Sequence, residues 1–205
     1  MEREAPAERR SDGARGFSRA QRSDGARGFS RAWICSCAST PNMRRRRPPR
    51  ISAEDYRGGV RIFFTMCTFQ RRPLFGCCEF THAVIEILLR TAKEFDVEIT
   101  AHCFMPDHVH MLVEGRSETA DQTKFASVFR QRTGYAYRRT RKDRLWQEGY
   151  FDRSLRRCEQ TIDVVAYIVG NPVRARLCEA PEQYPFTGSS RYRIEDLADA
   201  VQWRP

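Results

Sequence analysis

Long hydrophobic runs are absent from this sequence, and none approaches the roughly 18 residues that span a membrane. The N-terminal segment contains arginines but lacks the apolar stretch that secretory signals carry. None of the eight cysteines forms a Cys-x-x-Cys pair, which argues against a zinc ribbon or a dithiol redox motif. From these absences we expect a cytoplasmic protein with reduced thiols and no membrane partner.

The net charge of +10 is unevenly distributed along the chain. Residues 1–50 hold 13 arginines against 5 acidic residues, whereas residues 51–205 carry a net charge of only +2. Within that body, residues 116–157 contain 12 basic and 5 acidic residues. A concentrated basic patch can contact a phosphate backbone, although a solvated surface is the commoner explanation. The candidate nucleic-acid contacts are Arg138, Arg139, Arg141, Lys142, Arg144, Arg153, Arg156 and Arg157.

The N-terminal segment contains a perfect repeat, because RSDGARGFSRA at positions 10–20 recurs at 22–32. A segment this rich in Gly, Arg and Ser cannot bury an apolar core, so residues 1–50 are predicted to form a disordered, low-complexity basic tail. We expect Met43 to be the natural start and the preceding residues to be an upstream extension. The alternative is an arm that binds RNA or DNA.

The body, residues 51–205, contains patterns typical of four strands and three helices. Short β-branched apolar runs predict the strands, and apolar residues at steps of three and four predict the helices. The predicted order is a strand over 60–68, a helix over 80–95, strands over 97–104 and 108–113, a helix over 119–139, a strand over 150–155 and a helix over 159–170. This order predicts an α+β domain, ferredoxin-like or palm-like, in which helices pack on one face of an antiparallel sheet.

Histidine is scarce, yet two of the four histidines, His108 and His110, lie two positions apart in an apolar run. In a strand, residues two apart project from the same face. Val109 and its neighbours at 111 and 113 can then face a core while the two imidazoles share the other face. Two imidazoles on one face can serve as two ligands of a metal ion. A third ligand would have to come from elsewhere in the chain.

The last predicted helix carries a tyrosine on its polar side. Its apolar stripe is predicted to be Ile162, Val165, Ala166 and Val169, whereas Gln160, Asp163, Tyr167 and Asn171 follow another face. A tyrosine that packs into a core would be expected in the apolar stripe. Pro172 disfavours a helical conformation for the residue before it. The helix is therefore predicted to end at the Asn171-Pro172 pair, one turn after Tyr167.

Three motifs in this order resemble those of the REP-associated tyrosine transposases, which are single-tyrosine transposases of the HUH endonuclease superfamily. The resemblance runs from about Gly59 to Arg191 and rests on MPDHVHMLVE at 105–114, LWQEGYFDRSLR at 145–156 and AYIVGNPVRARL at 166–177. It implies that His108 and His110 bind a divalent metal, that Tyr167 is the nucleophile and that Asn171 completes the metal site. Position 107 often holds Asn in the family and holds Asp here, and both residues favour a turn.

The resemblance also implies a function. It points to a bacterial, cytoplasmic DNA endonuclease and strand transferase, associated with the nucleoid when bound to DNA, that uses Mg²⁺ or Mn²⁺. Its expected partner is single-stranded or hairpin DNA, cleaved through a 5′-phosphotyrosine. Both a monomer and a homodimer are compatible with the sequence.

Two alternatives stay open: a DNA- or RNA-binding module that has lost catalysis, and a metal phosphodiesterase that activates water. A histidine-triad nucleotide hydrolase is excluded, because position 112, where such an enzyme needs a third histidine, is leucine. Glu114 is a weaker candidate for a further metal ligand, and His102 is expected to be structural. The weaker candidates for the nucleophile are Tyr135, Tyr137 and Tyr150.

Overall fold

The computed structural model describes residues 57–155 and 161–202, which contain a five-stranded antiparallel sheet. The strands follow the spatial order β4-β1-β3-β2-β5, so that β3 lies at the centre of the sheet. A two-residue turn, Pro106-Asp107, connects β2 directly to β3. The strands are β1 (Arg61–Cys67), β2 (Val97–Met105), β3 (His108–Gly115), β4 (Phe151–Ser154) and β5 (Thr187–Gly188).

Five α-helices connect or follow these strands within the described residues. The longest, α2, begins after Asp121, whose carboxylate accepts a hydrogen bond from the backbone N–H of Lys124 and so caps the helix. It ends at Arg141, and the following Lys142 adopts the left-handed conformation with φ of 57°. The helices are α1 (Cys78–Glu94), α2 (Gln122–Arg141), α3 (Thr161–Val169), α4 (Asn171–Arg174) and α5 (Ile194–Ala200).

The α+β class, the antiparallel sheet and the seven predicted elements are confirmed within the described residues. Three elements, α4, α5 and the two-residue β5, are absent from the prediction, because segments this short carry little periodicity. The predicted tail, the start at Met43 and the domain start at residue 51 lie outside the described residues, as do the first two residues of the last predicted helix.

One face of the sheet carries the main core. Val109, Met111 and Val113 are fully buried on β3, as the alternation predicts. Phe104, paired with Val109, packs edge-on against Phe75 at a centroid distance of 5.2 Å. Phe75 in turn stacks on Phe80 of α1, and Phe80 packs against Tyr137 of α2. The helices α1 and α2 therefore cover this face.

The helix α3 covers the opposite face, which differs from the prediction that helices pack on one face only. Tyr167 of α3 contacts the rings of Phe63 and His110, which project away from the main core. Leu112 and Cys103, which share that second face, are fully buried. The central strands are therefore covered on both sides.

The buried side of α3 is also turned relative to the predicted stripe. Val165 and Val169 are buried as predicted, whereas Ile162 is exposed. Val164 and Ile168 take its place in the core. Tyr167 is half-buried, beside this apolar surface rather than within it. None of the helices in the described residues is long and apolar enough to cross a membrane.

Candidate active site

The two histidines of β3 lie at the centre of the sheet, between two hydrogen-bonded neighbours. On β1, Cys67 pairs with His108 and Thr65 pairs with His110. On the other side, Met105 and Cys103 of β2 pair with the same two histidines. A backbone held by ladders on both sides cannot shift its register without moving every side chain to the other face. The positions of the two imidazoles are therefore set by the whole sheet.

The two imidazoles converge at their tips. The Nε2 atoms of His108 and His110 are 3.1 Å apart, and their rings are nearly perpendicular with an interplanar angle of 81°. Two ligands bound about 2.1 Å from one octahedral ion are about 3.0 Å apart when they occupy neighbouring positions. The spacing of the Nε2 atoms thus fits two adjacent ligands of one ion.

His108 is oriented by the turn that precedes it. Its Nδ1 lies 2.6 Å from Oδ1 of Asp107, and the other carboxylate oxygen accepts a bond from Nε of Arg71 at 2.8 Å. Partial burial acts to raise the pKa of Asp107, but the bond to His108 and the charge of Arg71 lower it overall. An ionised carboxylate only accepts hydrogen bonds, so Nδ1 of His108 carries the proton and Nε2 presents its lone pair.

His110 is more deeply buried, with 6% of its surface exposed. Its Nδ1 lies 2.8 Å from Oγ1 of Thr65, and its ring stacks on Phe63 at 5.4 Å. Burial lowers the pKa of His110 well below its usual value, and the charges of Arg174 and Arg71 lower it further. A neutral imidazole is the form that binds a metal. The hydroxyl of Thr65 can donate or accept, so it supports either tautomer of His110.

Tyr167 lies beside this pair. Its ring centroid is 5.4 Å from that of His110 and 6.0 Å from that of Phe63, both in edge-on geometry. The tyrosine ring therefore lies next to His110 on the face that α3 covers, although the tyrosine is 57 positions further along the chain.

The amide of Asn171 is linked to this tyrosine through Arg174. Nη2 of Arg174 donates to Oδ1 of Asn171 at 2.9 Å, and Nδ2 of that amide is buried with no partner among the described residues. An amide oxygen has two lone pairs, so Oδ1 can still ligate an ion. No group of three His, Cys, Asp or Glu side chains in the described part of the chain could hold a metal. Within the described residues, the amide of Asn171 offers a candidate third ligand of another type.

The basic residues predicted to contact nucleic acid do not form one cluster. Arg138, Arg139 and Arg141 are exposed on the last turn of α2, followed by exposed Lys142. Arg144 lies over the ring of Phe69, in the segment between β1 and α1. Arg153 of β4 pairs with Phe63, and therefore lies on the face that carries the histidines. Arg156 and Arg157 lie outside the described residues.

The residues that are weaker candidates for a metal ligand or for the nucleophile lie away from this histidine pair. His102 is buried in the main core, where burial lowers its pKa to about 4, in agreement with a structural role. Glu114 pairs with Arg61 at the far end of β3 from His108. Tyr135 is exposed on α2. The remaining two tyrosines lie on the face opposite the histidines, where Tyr137 packs against Phe80 and Tyr150 against Phe64.

Three residues that surround the site, Thr65, Arg71 and Arg174, were not predicted from the sequence, nor was the role of the Asp107 carboxylate. A weak signal existed for two of them. Asp107 directly precedes the His-x-His pair, and Arg174 lies three residues after Asn171 within the same motif. Thr65 and Arg71 carry no local signal, because only the pairing of β1 with β3 brings them to the histidines.

Comparison with solved structures supports the fold. A REP-associated tyrosine transposase, solved bound to a REP hairpin, matches with a TM-score of 0.59 at 19% identity, over 80% of this chain and 92% of that chain. A transposase-like protein from Deinococcus radiodurans matches with a TM-score of 0.43 at 16% identity, over 64% of this chain and 92% of that chain. No curated protein matches the chain.

The family model for IS200-like transposases matches residues 59–171, more than half of the chain. The matched segment contains His108, His110 and Tyr167 and ends at Asn171. It thus spans every residue that the motifs assign to the metal or to the nucleophile. The resemblance that the three motifs indicate is confirmed, and this chain belongs to the IS200-like transposase family.

Proposed function

We propose that this chain cleaves and rejoins single-stranded DNA beside a hairpin, with Tyr167 as the nucleophile. The observation that carries the proposal is the position of the Tyr167 ring, 5.4 Å from that of His110, whose Nε2 faces Nε2 of His108 at 3.1 Å. A tyrosine beside two convergent imidazoles suits attack by its phenol oxygen on a phosphate that is bound between the tyrosine ring and the imidazoles.

The proposed step exchanges one phosphodiester for another. The phenol oxygen of Tyr167 bonds to phosphorus, and the bond from phosphorus to the 3′ oxygen breaks, which leaves a 5′-phosphotyrosine and a free 3′-hydroxyl. The phenol loses one proton and the departing 3′ oxygen gains one. Because a phosphodiester to tyrosine replaces the phosphodiester to the 3′ oxygen, the step needs no external energy. A 3′-hydroxyl can attack the phosphotyrosine in the reverse sense, which makes the same site suitable for strand transfer.

The donor set of two imidazoles and one amide fits a divalent ion. When bound by His108, His110 and Asn171, such an ion would neutralise charge on the non-bridging oxygens of the scissile phosphate. Imidazole nitrogen suits transition metals better than Mg²⁺, so Mn²⁺ is the better fit of the two predicted ions. The protein itself supplies the orientation, through Asp107 behind one imidazole and Thr65 behind the other.

A labelled hairpin oligonucleotide with a single-stranded flank tests this proposal. In the presence of Mn²⁺ we expect a protein–DNA adduct that survives denaturation, and EDTA should prevent its formation. Cleavage without a protein-linked species would instead indicate a phosphodiesterase that activates water. Hairpin binding without any cleavage, unchanged by His108→Ala, would indicate a binding module without catalysis.

The basic end of α2 is the proposed contact for the DNA backbone. The helix has no acidic residue and six basic ones, and Arg138 and Arg139 at its end are exposed. The next basic residue, Arg144, lies over Phe69, and Arg71 in the same short segment bonds to Asp107 beside His108. These arginines thus extend from the end of α2 toward the segment that bonds to Asp107, without forming one cluster.

The double substitution Arg138→Ala/Arg139→Ala is expected to weaken hairpin binding at moderate salt about tenfold. The slope of log K against log salt should fall by about one unit for each lost phosphate contact. Fluorescence anisotropy over a salt series measures both quantities. The matched control is Arg191→Ala/Arg193→Ala, because these exposed arginines already pair with Glu98 and Glu195. An unchanged salt slope in the first variant would contradict the assignment of this surface.

A further inference from the structure

Arg174 is an exposed residue that is nevertheless held against the candidate site. Its guanidinium carbon lies 4.8 Å from the centroid of the Tyr167 ring, within the range of a cation–π contact. Its Nη2 atom donates to the backbone carbonyl of Tyr167 and also to Oδ1 of Asn171. An exposed arginine normally samples many rotamers, so three contacts from one guanidinium indicate a defined role.

The contacts of Arg174 join two separate helices. The tyrosine belongs to α3, which ends at Val169, and the amide belongs to α4, which begins at Asn171. Gly170 between them has a backbone close to helical, with φ of −80° and ψ of −3°, and provides no side chain to brace the junction. Arg174 lies at the end of α4 and reaches back to both residues. Its side chain therefore bridges Tyr167 and the Asn171 amide across the junction of the two helices.

The chemistry of this bridge requires a guanidinium. A planar fork can lie over an aromatic ring while one of its nitrogens donates to two oxygens, whereas the ammonium of lysine is a compact point charge. The guanidinium donates but does not accept, so it also determines which end of the Asn171 amide is the oxygen. Loss of this donor would leave the amide free to turn its Nδ2 atom toward the ion.

We propose that Arg174 is a positioning residue for the cleavage reaction, which holds Tyr167 and the Asn171 amide in their mutual geometry. The inference rests on the proposed function and adds a residue that lies three positions beyond the segment matched by the family model. Arg174 acts through its two neighbours, so its removal lowers the rate of the bound complex more than the affinity for DNA.

Arg174→Ala and Arg174→Lys, compared with Arg176→Ala, test this inference. Arg176 is exposed and lies two residues further on, so its variant removes the same charge without the bridge. At saturating oligonucleotide and Mn²⁺ we expect the rate of adduct formation to fall about 100-fold in Arg174→Ala. The lysine variant should recover less than a tenth of the lost activity, and Arg176→Ala should match the wild-type protein.

Two further measurements separate positioning from a general loss of structure or of charge. Oligonucleotide affinity, measured in a Tyr167→Phe background, should change less than threefold in Arg174→Ala. Mn²⁺ affinity, measured by electron paramagnetic resonance without DNA, should weaken about tenfold because the amide is no longer oriented. If the alanine variant unfolds, the lysine variant provides the same comparison.

The outcomes distinguish this inference from the proposed function. A wild-type protein that forms no adduct would overturn both. A wild-type protein that forms the adduct, together with an Arg174→Ala variant within threefold of its rate, would overturn only the role of Arg174. Full recovery of the rate of adduct formation in Arg174→Lys would also overturn the role of Arg174, because a positive charge alone would then be sufficient for that rate.

Discussion

Replacement of Tyr167 by phenylalanine is expected to abolish the covalent protein–DNA adduct, with a loss of at least about 10³-fold in adduct formation. Phenylalanine retains the ring that contacts Phe63, His110 and Arg174, and it removes only the phenol oxygen. The fold and the affinity for DNA should therefore remain close to those of the wild-type protein. A denaturing gel with labelled oligonucleotide and Mn²⁺ measures the adduct.

The matched control for this variant is Tyr135→Phe. Tyr135 is 65% exposed on α2, so its hydroxyl is more accessible than that of Tyr167 but lies away from the histidines. Adduct formation in this control should equal that of the wild-type protein. An adduct that persists in Tyr167→Phe would show that another residue is the nucleophile, and peptide mapping of the labelled adduct would then identify it.

The second large effect is expected from His108→Ala, which should lower Mn²⁺ affinity by about 100-fold and remove detectable cleavage. His108 is half-buried, and its Nε2 faces that of His110 at 3.1 Å. Its loss leaves a single imidazole at the site, while hydrogen bonds within the sheet are backbone bonds and remain. Titration with Mn²⁺ followed by electron paramagnetic resonance measures binding without any need for activity.

His82→Ala is the control for the histidine variant. His82 is exposed on α1 and packs against Phe186, so its removal deletes an imidazole without touching the sheet face that carries the site. It should bind Mn²⁺ and cleave DNA like the wild-type protein. Undiminished Mn²⁺ binding by His108→Ala would contradict the assignment of the metal ligands, whatever its effect on cleavage.

Local periodicity explains why much of the architecture is predictable. The alternation along β3 predicts that Val109 faces the core while His108 and His110 share the other face, because a strand repeats every two residues. The helical repeat likewise predicts that Tyr167 and Asn171 lie one turn apart. The motifs add the functional roles, and these roles stay predictions until the variants are measured.

The sequence by itself determined seven of the strands and helices of the described residues and the residue types of the candidate site, since these depend on neighbours within one or two turns. Only the tertiary structure decided that α3 covers the histidine face, that Thr65 and Arg71 support the two imidazoles, and that Arg174 bridges Tyr167 and the Asn171 amide. The physical reason is strand order and helix packing: β1 and β2 enclose β3 and α3 covers the histidine face, so Thr65, Arg71 and Tyr167 reach the histidines from segments far apart in the chain.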